Sequence, residues 1–154
     1  MTSADARLAE LGLELPEIPT MPFRPKLVPV NVHHGLAYLS GIGPIGVVGV
    51  VGADLSVDEG YEAARTTGLL ALRRIVDEFG SLDVVERWVK VLGFVRSAQG
   101  FGDQPSVLNG FTDLVVSVFG EERGLCARSA LGVNELPAGI PVEVEATVAV
   151  KVTT

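Results

Sequence analysis

Residues 126–146 read CARSALGVNELPAGIPVEVEA. A small apolar run over 126–133 predicts one strand, and a strictly alternating run over 142–152 predicts a second strand after a turn. In the second run the even positions carry apolar side chains, whereas Glu143 and Glu145 point to the opposite face. The C-terminal end of the chain therefore contributes two strands to a sheet.

Arg128 is the unusual residue of the first strand, because a charged side chain is costly to place among small apolar neighbours without a partner. Three explanations are open: an internal salt bridge, a head group that reaches solvent over the sheet edge, or a guanidinium that binds a carboxylate at two points. Glu143 and Glu145 share a face, so they could serve in acid–base chemistry, pair with Arg128 or face water.

A third predicted strand covers VVERWVKVLGFV at 84–95 and is apolar on both faces. Its alternation predicts two groups on opposite sides, namely Val89, Val91 and Val95 on one face and Trp88, Leu92 and Phe94 on the other. Because a layer of helices covers only one face, the second face must meet another sheet, another helix layer or another subunit.

Two amphipathic helices flank this strand in the sequence. Ser56 and Glu59 form a capping box that starts the first helix, and Gly80 ends it. Asp103 is the predicted cap of the second helix, whose apolar stripe ends at Gly120. The order of elements is β-β-(β)-α-β-α-β-β, where the bracketed strand is a weak prediction.

The N-terminal part begins with a short predicted helix over residues 3–12. Ser3 is its N-cap, and Leu8 and Leu11 are expected to face inward. Four prolines make the following segment, residues 13–25, an extended arm. We expect the whole chain, 1–154, to be a single domain that carries this N-terminal extension.

The first sheet strands lie in a predicted hairpin over residues 27–41 that turns at His34 and Gly35. The glycine-rich segment 41–54 predicts a loop with a weak strand over 47–51. Adjacent histidines at the hairpin lack a third ligand for a metal site, and the glycine-rich loop lacks the residues of a phosphate-binding loop. We therefore expect neither a metal nor a cofactor.

The composition bounds the class of protein. The 154 residues are 47% hydrophobic and 20% charged, which is too apolar for disorder, and the net charge of −7 disfavours broad binding to nucleic acid or anionic membranes. Cys126 is the only cysteine, so an intramolecular disulfide is impossible, and it is expected to be a buried thiol. With no signal-peptide pattern or spanning segment in view, a cytoplasmic location is expected.

The C-terminal motifs resemble the signature of the RidA/YjgF/YER057c/UK114 family. The residues that carry the resemblance are CARSALGVNELP at 126–137 and PVEVEA at 141–146. The turn at 39–44 is similar to that family's early Ser-Gly-x-x-Pro turn, and Asn109 falls in the family order. The resemblance covers roughly residues 25–152, and the preceding arm is similar to that of a longer YjgF-like subgroup.

This resemblance implies a chorismate-mutase-like α+β fold in which two helices pack on one face of a mixed sheet. It also implies a homotrimer whose sheets face one another, with active sites in clefts between subunits. The defined members of the family hydrolyse reactive 2-imino and enamine acids to 2-oxo acids and ammonia. The implied ligand is therefore a small imino acid or another small carboxylate.

Carried over by the resemblance, Arg128 binds the substrate carboxylate and Glu143 activates the attacking water. Gly41 supplies a backbone contact to the substrate, and Asn109 shapes the cleft. The chain departs from the deaminase pattern at Ala130, where cysteine is usual, and at Ile42, where glutamine is common. It also lacks the usual tyrosine in its first strand. The main alternative is a non-catalytic trimer that senses a small carboxylate, and the endoribonuclease activity ascribed to some members is disfavoured by the acidic charge.

Overall fold

The computed structural model describes residues 3–151, which contain three helices and five strands. The helices are α1 (Ala4–Glu10), α2 (Val57–Phe79) and α3 (Gln104–Gly124). The strands are β1 (Val30–His33), β2 (Leu36–Ile42), β3 (Val85–Arg96), β4 (Ala127–Val133) and β5 (Val142–Val150). Short 3-10 turns cover Leu82–Val84 and Pro137–Gly139.

The strands form one mixed sheet in the order β1-β2-β5-β3-β4. Only β3 and β4 run parallel among these neighbours, and the other pairs are antiparallel. The helices α2 and α3 pack against each other and cover one face, where Trp88 of β3 meets the ring of Phe111 of α3. The predicted α+β class, a mixed sheet with two helices on one face, is confirmed.

The predicted ends of the helices are largely confirmed. Ser56 and Glu59 form both hydrogen bonds of the capping box, and Gly80 ends α2 in the left-handed region with φ 81°. In α3 the helical geometry breaks at Gly120, where φ is 75°. Asp103 stands at the N-cap of α3 but makes no capping bond, because its carboxylate accepts a hydrogen bond from the Ser106 hydroxyl instead.

The predicted faces of β3 are wrong at its start. The pairing with β5 shifts between Trp88 and Lys90, which inserts one residue into the alternation. Trp88 therefore joins Val91 and Val95 on the buried, helix-covered face, whereas Val89 is exposed. Leu92 and Phe94, beyond the bulge, do face the other side and are half-buried.

Three further expectations need correction or fall outside the description. The weak strand over 47–51 is wrong, because only Val51 forms isolated bridges, and Gly49 and Gly52 beside it have positive φ. Leu11 does not face inward, because α1 ends before it and leaves it exposed as the C-cap. Val152 of the last strand lies outside the described residues.

The face of the sheet opposite the helices is called the outer face. It carries side chains from four strands, with Tyr38 and Leu131 largely exposed and Leu92 and Phe94 half-buried. Glu143 also projects from this face, because the even-numbered residues of β5 are buried against the helices. Large apolar groups are therefore uncovered on the side that the helices leave open.

The N-terminal helix is attached to the turn before β3 by a reciprocal pair of caps, here called the clasp. The Ser3 hydroxyl and the Ala4 N–H donate to the carboxylate of Asp83. In return, the Ser81 hydroxyl and the N–H of the next residue donate to the carboxylate of Asp5. The segment after α1 has no regular structure, as predicted for the arm.

Candidate functional site

Arg128 lies on the edge strand β4 and its side chain points to α3. Its Nη1 donates to Asn109 Oδ1 at 3.0 Å and to Thr112 Oγ1 at 2.9 Å, and its Nη2 lies 3.4 Å from the carbonyl oxygen of Pro105. All three acceptors are neutral, and no carboxylate within residues 3–151 forms a salt bridge with Arg128. The internal salt bridge is therefore wrong as an explanation for this arginine.

The geometry of α3 explains why these acceptors meet one guanidinium. Pro105, Asn109 and Thr112 are spaced by four and three residues, so they lie on the same face of the helix. Parallel pairing places Arg128 beside Val91, within the region of the sheet that α3 covers. We call Arg128, Asn109 and Thr112 the arginine half-site.

The guanidinium of Arg128 keeps one edge available for a ligand. Both strong bonds use Nη1, and Nε has no acceptor in the described part of the chain. The Nε–Nη2 edge carries two parallel N–H groups, which match the two oxygens of a carboxylate. Because Arg128 is only half-buried, a small anion can reach this edge.

Glu143 lies beside a bulge of the neighbouring strand β2. The pairing of β2 with β5 shifts between Leu39 and Ile42, and Gly41 lies within this irregular stretch. A Cβ at Gly41 would overlap Glu143 Oε1, so the absence of a side chain makes room for the carboxylate. The structure thus brings Gly41 and Glu143 into close contact.

The environment raises the pKa of Glu143 above its usual range. Partial burial is the main cause, and the nearby carboxylate of Glu145 adds to it, whereas the positive charge of Arg74 acts in the opposite direction. We call Glu143, Gly41 and Arg74 the glutamate half-site. Its carboxylate is a stronger base than a solvated glutamate, which suits proton transfer near neutral pH.

Arg74 is the member of the site that sequence reasoning missed. Its Nη1 donates to the carbonyl oxygen of Ser40 at 2.6 Å and lies 3.4 Å from that of Gly41. A signal was present, because Arg74 follows the buried residues Leu70 and Ala71 by four and three positions on α2. A charge on the apolar stripe of a helix indicates a buried partner.

The two half-sites do not meet within one chain. The residue of β5 that lies opposite Arg128, with β3 between them, is Ala146. Glu143 is three residues from Ala146 along β5 and therefore two strands and three residues away from Arg128. With a rise of ~3.3 Å per residue and ~4.8 Å between strands, their Cα atoms are about 14 Å apart. Arg128 also points to the helices and Glu143 to the outer face.

Other candidates lie away from these half-sites. His33 ends β1 and His34 lies in the hairpin turn that follows, and the two imidazole rings contact each other. Cys126 is half-buried, and burial raises the pKa of its thiol, which favours the unreactive protonated form. Glu145 is exposed on the outer face, where it lines a shallow pocket of about 130 Å³ with Tyr38. Residues 3–151 contain no cluster with the makeup of a metal site and no helix able to cross a membrane.

Comparison with known sequences finds one curated relative. The Trypanosoma cruzi protein TCP17 is 47% identical over 102 residues, which make up 66% of this chain and 64% of that protein. The chain thus spans slightly less than two thirds of the length of this relative. No protein-family model matches the chain.

Two solved structures share almost the whole chain. The Agrobacterium tumefaciens protein Atu1372, of unknown function, is 34% identical with a TM-score of 0.86 and covers 97% of this chain and 94% of its own. A Shewanella oneidensis MR-1 protein described as a candidate endoribonuclease is 26% identical with a TM-score of 0.89 and covers 97% and 100%. The YjgF gene product of E. coli shares the fold at 22% identity, with a TM-score of 0.54 over 80% of this chain and 87% of that one.

Proposed function

By its fold the chain belongs to the YjgF/Rid family, and on this basis we propose that it is a hydrolytic deaminase of small 2-imino acids. The proposed active sites lie in clefts between the subunits of a homotrimer. In each cleft the arginine half-site of one copy faces the glutamate half-site of the next.

The Nε–Nη2 edge of Arg128 is the observation that carries this proposal. Its Nε has no acceptor within residues 3–151, and its Nη2 makes only a long bond of 3.4 Å to the carbonyl oxygen of Pro105. A charged arginine among small apolar residues costs free energy unless an anion pairs with it. The partners of Arg128 within the chain are all neutral. These partners fix the direction of the guanidinium without neutralising it. The arrangement is thus prepared for a small carboxylate, the group that every 2-imino acid carries.

The reaction requires a positioned water and a group that shuttles protons. Glu143 takes a proton from the water as the water oxygen bonds to the imine carbon, the π electrons of C=N move to the nitrogen, and Glu143 passes the proton to that nitrogen to give a carbinolamine. Glu143 then takes the proton of the carbinolamine hydroxyl and transfers it to the amino nitrogen, so the C–N bond breaks, ammonia leaves, and the 2-oxo acid forms with Glu143 ionised again. The raised pKa of Glu143 suits both proton transfers.

A shared site follows from the dimensions of the substrate. In a 2-imino acid the carboxylate carbon is bonded directly to the imine carbon, whereas Arg128 and Glu143 of one chain are about 14 Å apart and on opposite faces. The exposed apolar groups on the outer face, including Tyr38 and Leu131, give a second copy a surface to cover. Association in a closed ring supplies both halves to every cleft.

Two other activities are less well supported by the surface chemistry. The net charge of −7 and the acidic pair Glu143 and Glu145 disfavour RNA, whose phosphates require a basic footprint. A carboxylate sensor would use the arginine half-site in the same way but would not require a basic Glu143. We therefore expect the binding partners to be other copies of this chain and a small carboxylate or imino acid. We expect the protein to act in the cytoplasm.

The proposal is tested by generating 2-iminopropanoate in solution. An amino-acid oxidase produces the imine from alanine, and semicarbazide traps whatever the protein has not hydrolysed. We expect the wild-type protein to lower the yield of semicarbazone. Loss of a charge-assisted bidentate contact costs about 1.5–3 kcal/mol, so Arg128→Ala should lower kcat/KM roughly ten- to hundredfold.

Arg87→Ala is the matched control, since Arg87 lies on the neighbouring strand and, among the described residues, bonds to the carbonyl oxygen of Glu122 alone. It should behave as the wild type. Equal hydrolysis by Arg128→Ala, or none by the wild type, would refute the deaminase proposal. Binding of 2-oxo acids without turnover, abolished in Arg128→Ala, would identify the sensor instead.

A further inference from the structure

Arg74 reaches the bulge of β2 from the helix-covered side of the sheet. Its guanidinium donates to the carbonyl oxygen of Ser40 at 2.6 Å, with that of Gly41 at 3.4 Å. Both carbonyls belong to the stretch in which the ladder between β2 and β5 is irregular. In such a stretch backbone groups lose their ladder partners, so a side-chain donor supplies the missing hydrogen bonds.

The partly buried position of Arg74 costs free energy, which indicates that its positive charge has a function. Its Nε is buried and has no hydrogen-bond partner in the part of the chain that the structure describes. Burial also disfavours the charged form of the guanidinium. A methionine at this position on α2 would fill the same space without either cost.

The carboxylate of Glu143 lies directly over the same bulge. Its Oε1 occupies the space that a side chain at Gly41 would take, so any shift of this backbone displaces the carboxylate. The bulge thus lies between a cation that enters from the helix side and an anion that enters from the outer face. Within residues 3–151, Arg74 is the positively charged group that both contacts this bulge and acts on the carboxylate of Glu143.

We propose that Arg74 is a positioning residue of the glutamate half-site, which fixes the Ser40–Gly41 backbone next to the carboxylate of Glu143. This inference rests on the proposed function, because it assigns to Arg74 the support of the group that activates water. Arg74 itself bonds to backbone oxygens and acts through Glu143.

The charges that face Glu143 come from two elements. On its own strand Glu145 raises the pKa of the carboxylate, and from α2 Arg74 lowers it. The neighbouring positions on the flanking strands are Phe94 of β3 and Gly41 of β2, and neither carries a charge. Removal of Arg74 therefore leaves burial and like charge unopposed, and the pKa of Glu143 rises further.

The experiment measures the titration of Glu143 in the resting protein by carboxyl ¹³C NMR, with Glu143→Gln used to assign its signal. In Arg74→Met the midpoint should move to higher pH. In Arg74→Lys, which keeps a positive charge, it should stay nearer that of the wild type. With turnover present, Arg74→Met should also lower kcat/KM about tenfold or more and shift the acid limb of its pH profile upward.

Arg73→Met is the matched control, because Arg73 precedes Arg74 on the same helix but pairs with Asp77 at the surface. Its Glu143 titration should equal that of the wild type. An unchanged titration in folded Arg74→Met would overturn the inference even if deamination is observed. If Arg74→Met does not fold, Arg74→Gln takes its place, and an unchanged Glu143 titration in the folded Arg74→Gln protein would overturn the inference in the same way. If the Glu143 titration shifts in Arg74→Met but the wild-type protein has no deaminase activity, the inference about Arg74 stands and only the proposed function is refuted.

Discussion

At the scale of single residues, the close approach of Gly41 to Glu143 leads to a prediction. A Cβ at Gly41 would overlap Oε1, so Gly41→Ala must displace the carboxylate or the bulge. Because misplacement of a catalytic group by about 1 Å can cost a hundredfold in rate, we expect Gly41→Ala to lower kcat/KM by one to two orders of magnitude. The imine assay measures this loss, and circular dichroism shows whether the fold is retained.

Gly102→Ala provides the comparison, since a Cβ there meets nothing within 4 Å. It should retain wild-type activity. A Gly41→Ala variant with full activity would mean that the carboxylate does not need its observed position.

The site residues differ in how well the sequence indicated them. The motifs named Arg128, Asn109, Gly41 and Glu143, and the structure brings Arg128 beside Asn109 and Glu143 beside Gly41. Arg74 was not predicted as a site residue, because its partners are backbone carbonyls of a bulge. The sequence does not show where the pairing of two strands becomes irregular. Its position on the apolar stripe of α2 was the only local signal.

At the scale of elements, the contact between α2 and α3 depends on Gly110. A Cβ at this position would overlap the carbonyl oxygen of Tyr61, which belongs to the backbone and cannot rotate away. Alanine gains up to about 1 kcal/mol in helix propensity over glycine, but forced separation of packed helices costs about 1–3 kcal/mol or more. We therefore expect Gly110→Ala to lower the free energy of unfolding by about 2 kcal/mol in urea titrations. An increase would show that propensity dominates.

The start of α2 gives a second, smaller prediction. The Ser56 hydroxyl accepts the N–H of Glu59, and the Glu59 carboxylate accepts the N–H of Ser56. Ser56→Ala should lower the free energy of unfolding by about 1 kcal/mol without affecting imine hydrolysis. A matching loss of activity would connect this helix end to the site, contrary to our description.

The predicted elements agree with the structure where local patterns dictate them. Capping residues and periodic apolar positions located α2 and α3, and alternation located β5. The faces of β3 could not be predicted, because the bulge at Trp88 depends on the pairing with β5, nearly sixty residues further along the chain. The weak strand over 47–51 failed because glycines with positive φ interrupt any ladder there.

At the scale of the whole molecule, the clasp connects the N-terminal extension to the rest of the fold. The pKa of Asp83 is lowered, first by the Ser3 hydroxyl and further by backbone N–H groups and by Arg123. A carboxylate with a depressed pKa stabilises the folded state above its unfolded pKa, and this contribution disappears as the pH falls through the folded pKa.

Asp83→Asn should therefore be less stable than the wild type at neutral pH, and the difference should shrink below about pH 4. Thermal unfolding of both proteins across this range measures the effect. Glu86→Gln, at an exposed position of β3, is the control and should be as stable as the wild type at neutral pH. If wild type and Asp83→Asn differ in stability by the same amount at every pH, the geometry of the hydrogen bonds matters and the charge of Asp83 does not.

The run at 84–95 is apolar on both faces, so the sequence predicted that its second face must meet another sheet, another helix layer or another subunit. The structure places Leu92 and Phe94 on the uncovered outer face, whereas Trp88 lies on the helix-covered face. The separation of Arg128 from Glu143 could not be predicted, because it depends on strand order and register.

Subunit complementation tests the shared site most directly. Arg128→Ala and Glu143→Gln should each retain at most about a tenth of the wild-type activity in imine hydrolysis when assembled alone. When equal amounts are unfolded together and reassembled at random, each cleft draws its two halves from different chains, so about a quarter of the clefts regain both intact residues. We predict recovery of about a quarter of the wild-type activity in the mixed assemblies, whereas mixtures with no more activity than the separate variants would contradict a site shared between copies.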